Sequence, residues 1–311
     1  MAKAASQLGV STPSISDTIA GLEHSLGISL LDRTPKGILP TVYGEAFLRR
    51  GQSAFDELRQ GILEIESISD PGTGEVRVGC AESLSAYVTL VIERFTQQYP
   101  RIHFHVQQVR WPALDFQELR DRKIDLMLSR SVNPLVRGHL EEDLHGEVLF
   151  DDPFSAVVGT HSKWTRRKTI DIAELVDEPW ILTPLDVLAG RFVAEAFEKR
   201  GLQPPNPAVA TSSIHLRQNL ASRGRYIAVL PASILRLNAK QFGLKELPIK
   251  LSDKPAPVTI VTLKTRTLAP AARIFIQCAR EVARLFGPTP EPASPSESET
   301  SRRGARRRPR S

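Results

Sequence analysis

Two sets of residues in this 311-residue chain could do chemistry, and in both the chemistry is recognition rather than bond making. The first is a run of short side chains, Ser11, Thr12, Pro13, Ser14, Ser16 and Asp17, followed further on by Arg33 and Lys36. Hydroxyls and a carboxylate held this close to the backbone suit the edges of bases, and the two cations suit phosphate oxygens. The second set gathers where strand-like apolar runs end. It comprises Ser83 and Ser85 after "EVRVGC", Arg110 and Trp111 after "RIHFHVQQV", Ser129 and Arg130 closing "KIDLMLSR", Thr183 after "WIL", Thr211 to Ser213 after "AVA", and Val229 in "YIAVLP". Hydroxyls, guanidinium groups and the free amides of helix starts suit a small organic anion. Catalytic motifs are missing from the chain: there is no GxSxG, HExxH, P-loop or GxGxxG. Cys80 and Cys278 stand far apart with no metal-ligand spacing around them, and buried thiols are the expectation. We therefore expect no catalysis, no metal and no cofactor, the small organic anion being a ligand of unknown identity.

Helical spacing positions the first set. Ile15, Ile19, Leu22 and Leu26 recur as a buried stripe, with Ser11 or Thr12 as N-cap and Pro13 tolerated in the first turn. The opposite face then carries Pro13, Ser16, Asp17 and Ala20, with Ser14 on its flank, small enough to approach a major groove closely. A helical hairpin of purely structural role gives the same pattern. Next, "LLDRTPKGILPT" reads as two short strands around a Pro35-Lys36-Gly37 turn, a wing beside the helix that carries Arg33 and Lys36 toward phosphates. From Thr41, an N-cap, the chain runs helically to about Ser69, and Leu48, Phe55, Leu58, Ile62 and Ile65 keep an a/d-like spacing interrupted by Gly51 and Gly61. A helix packed into the core is one reading of that stripe; a linker helix pairing with its own copy is the other.

"SDPGTG" ends that helix, and strand and helix units then alternate to about Phe286, with helices over Leu84 to Tyr99, Leu114 to Arg122, Val187 to Arg200, Ile214 to Arg223 and Pro270 to Phe286. Such alternation argues for a mostly parallel sheet covered on both faces. The tract "GPTPEPASPSESETS" buries too little apolar surface to order itself, so residues 287–311 are expected to be a disordered tail. Its "RRGARRRPR" end carries much of the net charge of +6, while the acids among the first 69 residues match or outnumber the bases. Charge alone does not mark the N-terminal part as a DNA-binding head. Ser and Thr at helix starts also serve as caps, Arg130 could pair with a surface carboxylate, and His103 and His105 lie on one face of a strand with no ligand role expected. No apolar run approaches the roughly 20 residues of a membrane span, and the N-terminus lacks a signal-peptide layout, so the expectation is a cytoplasmic protein away from membranes.

The N-terminal stretch resembles the winged helix-turn-helix of LysR-type transcriptional regulators. Ala4-Ala5, Leu8, Val10-Ser11, Pro13, Ser16, Ile19, Leu22-Glu23, Leu26-Gly27, Leu31-Asp32-Arg33, Gly37, Thr41 and Gly44 carry the match. The resemblance implies an N-terminal all-α winged helix-turn-helix over residues 1–41 and a dimerising linker helix over 42–70. It also implies a C-terminal α/β, two-lobed, periplasmic-binding-protein-like (type 2) effector domain over 75–286. Lobe I would span 75–151 and 252–286, and lobe II 152–251, with crossings near Asp151-Asp152 and from Leu251 to Pro255. It places Ser83 where the family's helix-starting serine meets the effector, whereas Arg110-Trp111-Pro112 stands where relatives often have a hydroxyl. Asp17 stands where the family commonly has a basic or amide side chain. Partners implied are double-stranded DNA, a small organic effector, a second copy in a dimer or tetramer, and RNA polymerase. Family members also begin with a further helix of roughly 15 to 20 residues packed under the two read here. Either the start is assigned to an internal methionine or the head is shortened. A ligand-sensing paralogue with impaired DNA binding, and a solute-binding protein, are the alternative readings.

Overall fold

The computed structural model describes residues 1–35, 37–70, 72–109, 116–130, 143–184 and 187–287. The chain begins with α1 (Ala2–Leu8) and α2 (Thr12–Leu26), followed by β1 (Leu31–Thr34) and β2 (Gly37–Pro40). Gly9 ends α1 with φ 65°, a left-handed conformation that a residue with a Cβ adopts at a cost, and this makes the tight turn into α2. The Ser11 hydroxyl accepts from Ser14 N and Pro13 lies in the first turn, so Ser11 is the cap. Glu23 closes the head from the other side, its Oε1 accepting from Leu30 N at 2.6 Å and Leu31 N at 3.0 Å. The strands pair antiparallel from Leu31↔Pro40 to Thr34↔Gly37, which is the expected wing. Ile15, Ile19 and Leu22 are half-buried rather than buried, and Leu26 is exposed.

The linker is one helix, α3 (Val42–Ser69), uninterrupted at Gly51 and Gly61. Thr41 caps it, accepting from Gly44 N at 3.0 Å while donating to Ser29 O at 2.8 Å. Gly44 permits that junction, since a Cβ there would sit 2.0 Å from the Leu30 carbonyl oxygen. One side of α3 is held by charge. Asp56, 6% exposed, accepts from Arg266 Nε at 2.6 Å, Arg266 Nη2 at 2.8 Å and Arg122 Nη1 at 2.9 Å. Arg266 also donates to Asp125, which binds Arg77 in turn. Burial works to raise the Asp56 pKa, but the hydrogen bonds and charges of Arg266 and Arg122 outweigh it and hold the carboxyl below its ordinary range.

Beyond α3 the chain forms β3 (Thr73–Cys80), α4 (Ser85–Gln98), β4 (Arg101–Gln108), α5 (Gln117–Arg120), β5 (Leu126–Ser129), β6 (Leu144–Asp151) and β7 (Phe154–Gly159). There follow β8 (Trp180–Leu182), α6 (Leu188–Glu198), β9 (Val209–Ala210), α7 (Ile214–Ser222), β10 (Ile227–Pro231), α8 (Ala232–Phe242) and β11 (Leu244–Glu246). The fold closes with β12 (Pro257–Leu263) and α9 (Pro270–Ala283). Two five-stranded sheets result, β4-β3-β5-β12-β6 and β11-β7-β10-β8-β9. The expectation of a mostly parallel sheet needs correcting: β3, β4 and β5 are parallel, as are β8, β9 and β10, but β12, β6, β7 and β11 all pair antiparallel. The reason is connectivity. The chain leaves the first sheet by β6 and enters the second directly by β7, returning from β11 to β12, and the strand that enters each sheet, β7 or β12, runs against its βαβ set and so pairs antiparallel on both sides. The passages touch, with Asp152 N donating to Ala256 O and Ala256 N donating to Asp151 Oδ1.

Three elements had no counterpart in the spacing: β6, α8 and β11. The helix expected over Leu114 to Arg122 is four residues, Gln117–Arg120, within the described residues, because Phe116 enters it at φ 46° and Arg122 leaves it at φ 57°. The first sheet packs under α4 and α9 through Phe95, Phe104 and Phe275, and both cysteines are buried in that core. No helix among the described residues is long and apolar enough to cross a membrane. The expected tail lies outside the described residues, apart from Gly287.

Candidate ligand-binding cleft and nucleic-acid interface

At the N-terminus, Ser11, Thr12, Pro13, Ser14 and Asp17 are exposed on the first two turns of α2, and Ser16 is half-buried beside them. Ser11 caps the helix and the others lie on its first two turns, so the surface offered is short side chains over a helical backbone whose amide end is capped by the chain itself. Arg33 lies on β1, paired with Ile38 across the wing, and Lys36 lies outside the described residues. On α3 the a/d-like stripe is solvent-facing: Phe55 is 76% and Ile65 66% exposed, and Leu48, Leu58 and Ile62 are exposed as well. An apolar stripe away from a charge-locked one makes α3 a strut with one face fixed and the other exposed.

Between the two sheets lies a cavity of about 770 Å³, at the carboxyl ends of β3, β5 and β8 and the start of α7. That size matches small-molecule sites. Ser83, Arg130, Thr183 and Ser212 line it as expected from strand ends, together with Ser129 and Ser213. Ser85, Thr211 and Val229 are not among its lining residues. The reasons are local. A short turn, Glu82–Leu84, precedes α4 and carries Ser85 past the cleft to an exposed position. Thr211 uses its hydroxyl to accept from Ser213 N. Val229 is packed inside the second sheet's core and contributes only its carbonyl. Arg110 and Trp111 lie outside the described residues.

Arg130 is neither free nor paired at the surface. It forms a buried ion pair with Asp152, donates to Asp152 O at 2.9 Å, and reaches Ser83 through its hydroxyl (3.2 Å) and carbonyl (3.1 Å). Asp152 is fixed in turn by Ser233 N at 2.8 Å, so the passage between lobes is pinned to both. Phe154 stacks on the Arg130 guanidinium at 5.4 Å.

The most informative cleft residue escaped the strand-end rule. Arg217, one turn into α7 and 3% exposed, donates to Val229 O at 2.6 Å and Ser212 O at 3.3 Å, and its Nε has no partner among the described residues. Burial pushes its pKa down to about 10, with Glu82 opposing and Arg130 reinforcing the shift, so it remains a cation at neutral pH. Among the described residues its hydrogen bonds go to carbonyls alone and Glu82 acts on it only through charge, so this buried guanidinium gains from an anion bonded to it directly. Thr183, 6% exposed, likewise has a buried hydroxyl without a partner among the described residues. Arg217 stands four residues after the α7 cap Ser213, and that i, i+4 spacing is the sequence signal that would have found it. Glu82 and Gln108 also line the cavity and were passed over, Glu82 although it adjoins Ser83.

A helix-turn-helix head with a wing, an exposed strut and a two-sheet cleft holding a cation with no carboxylate bonded to it among the described residues are the parts of a ligand-sensing DNA-binding protein. The bacterial regulatory helix-turn-helix family of LysR type matches residues 1–45, and the LysR substrate binding domain matches residues 69–284. The chain belongs to the LysR family of transcriptional regulators. It is 28% identical over 266 residues to the transcriptional dual regulator GltC of Bacillus subtilis (strain 168), covering 85% of each chain. In fold it is similar to a full-length, singly substituted OxyR from Pseudomonas aeruginosa (TM-score 0.63, 20% identity, 94% of this chain and 93% of that one). It is also similar to full-length CbnR complexed with its target DNA (TM-score 0.54, 20% identity, 91% and 93%).

Proposed function

We propose that this LysR-family chain is a cytoplasmic regulator that binds promoter DNA sequence-specifically as a dimer, assembling further to a tetramer, and that a small organic anion in the cleft controls it. The observation that carries the reading is Arg217, a buried cation with no carboxylate bonded to it among the described residues, in a 770 Å³ cavity between two lobes. The exposed face of Ser11 to Asp17 supplies base contacts, and Arg33 and Lys36 supply phosphate contacts. Asp17 favours a cytosine amino group, which an aspartate can accept from. Pairing through Leu48, Phe55, Leu58, Ile62 and Ile65 joins two heads, so two weak half-site affinities combine on a palindromic target.

The mechanism is a population shift: ligand held between the lobes favours one lobe arrangement, α3 follows lobe I through the Asp56 cluster, and head spacing and DNA bend change. RNA polymerase is the partner that reads that change. The regulator works without catalysis or cofactor. A mobility-shift assay of the full chain on promoter fragments, with and without a panel of organic acids, tests this. Retention of one fragment at salt that releases the others, altered by at least one acid, is expected. Equal affinity for every fragment would overturn sequence-specific regulation.

A further inference from the structure

The amino end of α7 already holds an anion, supplied by the opposite lobe. Glu82 Oε1 accepts from Ile214 N at 3.0 Å, from His215 N at 3.4 Å and from Ser213 Oγ at 3.4 Å. The helix's own cap, Ser213, accepts only from Leu216 N, so the first two free amides of this nine-residue helix depend on a carboxylate from lobe I. This bridge crosses the cleft described above, with Thr183 and Arg217, both more than nine-tenths buried and each with a polar atom unpartnered among the described residues, in the same cavity lining.

Charge decides what the bridge does. Arg130 and Asp152 neutralise each other, leaving Glu82 and Arg217 as the remaining opposite charges among the described lining residues, and no hydrogen bond joins the two. A carboxylate entering beside Arg217 while Glu82 stays would set two anions against one uncompensated cation. Were Glu82 to leave, the ligand would balance Arg217 and inherit the α7 amides. We propose that Glu82 is an intramolecular stand-in for the ligand's carboxylate: it clasps the lobes in the ligand-free chain and is displaced from the α7 amides when a small carboxylate binds. The inference rests on the reading of this cleft as the effector site. Two consequences follow. The clasp passes from chain to ligand, and ligand affinity is held down by the fraction of molecules in which Glu82 is seated.

The test uses the full chain with sodium acetate and sodium succinate as probes, sodium chloride at matched ionic strength as control, and glycine as a zwitterion. Half-saturating concentrations are read by thermal shift. Glu82→Gln, with a neutral and weaker competitor, should lower the half-saturating concentration of acetate and succinate by a factor of about 10. Glu82→Asp, which keeps the charge and shortens the reach, should fall between, and it supplies a readout should the glutamine variant not fold. Carboxylate binding that is unchanged or weaker in Glu82→Gln overturns the proposal, as does no saturable response in any variant. So does glycine binding that is lost in Glu82→Gln, because Glu82 would then be a partner for an ammonium group. Arg217→Gln separates the two readings: if it leaves acetate binding intact, the cleft is not the anion site. If it abolishes binding while Glu82→Gln changes nothing, only the stand-in fails.

Discussion

Single residues in the cleft carry costs that the proposed ligand would relieve. The Thr183 hydroxyl is buried without a partner among the described residues, so Thr183→Val should stabilise the ligand-free protein by about 1 kcal/mol while weakening carboxylate binding. A melting curve with and without ligand checks both signs, and destabilisation of the ligand-free form would show that the hydroxyl is satisfied there. Ser83 was legible because strand ends and helix starts can be located in the sequence, and the structure places it in the cavity lining. Arg217 was not, because its importance comes from which groups surround it, a property of the whole cleft. Ser85 shows the complementary error: two residues from Ser83, it is carried out of the cleft by one short turn.

Among elements, α3 shows how one helix serves two surfaces. Its fixed face depends on Asp56, which holds Arg266 and Arg122. Asp56→Asn removes the carboxylate that Arg266 and Arg122 share, leaving Arg266 to Asp125 and Arg122 to the more exposed Glu57, and should cost about 3 kcal/mol, measurable by urea unfolding. The pH sign follows from the carboxyl's lowered pKa. The stabilisation is fully present above the ordinary value of 3.8 and is lost as pH falls through the depressed folded value. The acid limb of the wild-type stability profile should therefore be steeper than that of Asp56→Asn below about pH 4. The open face is the proposed pairing surface, on which Phe55→Asp with Ile62→Asp should weaken self-association by about 2 kcal/mol per site, read by sedimentation equilibrium. Unchanged association would move the dimer interface elsewhere. Spacing in the sequence makes the stripe visible, but nothing local to Asp56 sets it apart from the other acids of the helix. Its partners lie in lobe I, Arg266 on the far side of the whole domain in sequence.

At the scale of the molecule, the cleft, the strut and the head are joined by direct contacts. Lobe I grips α3 through Asp56, α3 enters the head through the Thr41 and Gly44 junction, and lobe II is joined to lobe I by two adjoining passages and by Glu82. Ligand-driven rearrangement of the lobes should therefore be felt at the DNA. With a cleft-binding carboxylate present, the apparent bend angle of promoter DNA, measured by circular permutation of the site, should change by a reproducible amount. An unchanged angle with the ligand demonstrably bound would break the line between sensor and head.

The order of the elements apart from β6, α8 and β11, the wing, the capped α2 with its small-residue face and the apolar stripe of α3 were readable in the chain itself. Each depends on neighbours within a few residues, where helical and strand periods and capping rules act directly. The antiparallel strands at the lobe passages, the pairing of Arg130 with Asp152, the isolation of Arg217 and the reach of Glu82 to α7 were decided only by the tertiary structure. Glu82 and its helix amides are more than 130 positions apart, and whether they meet depends on how two sheets face each other across a cleft. No local period encodes that distance, because it is set by packing of the two lobes as whole bodies.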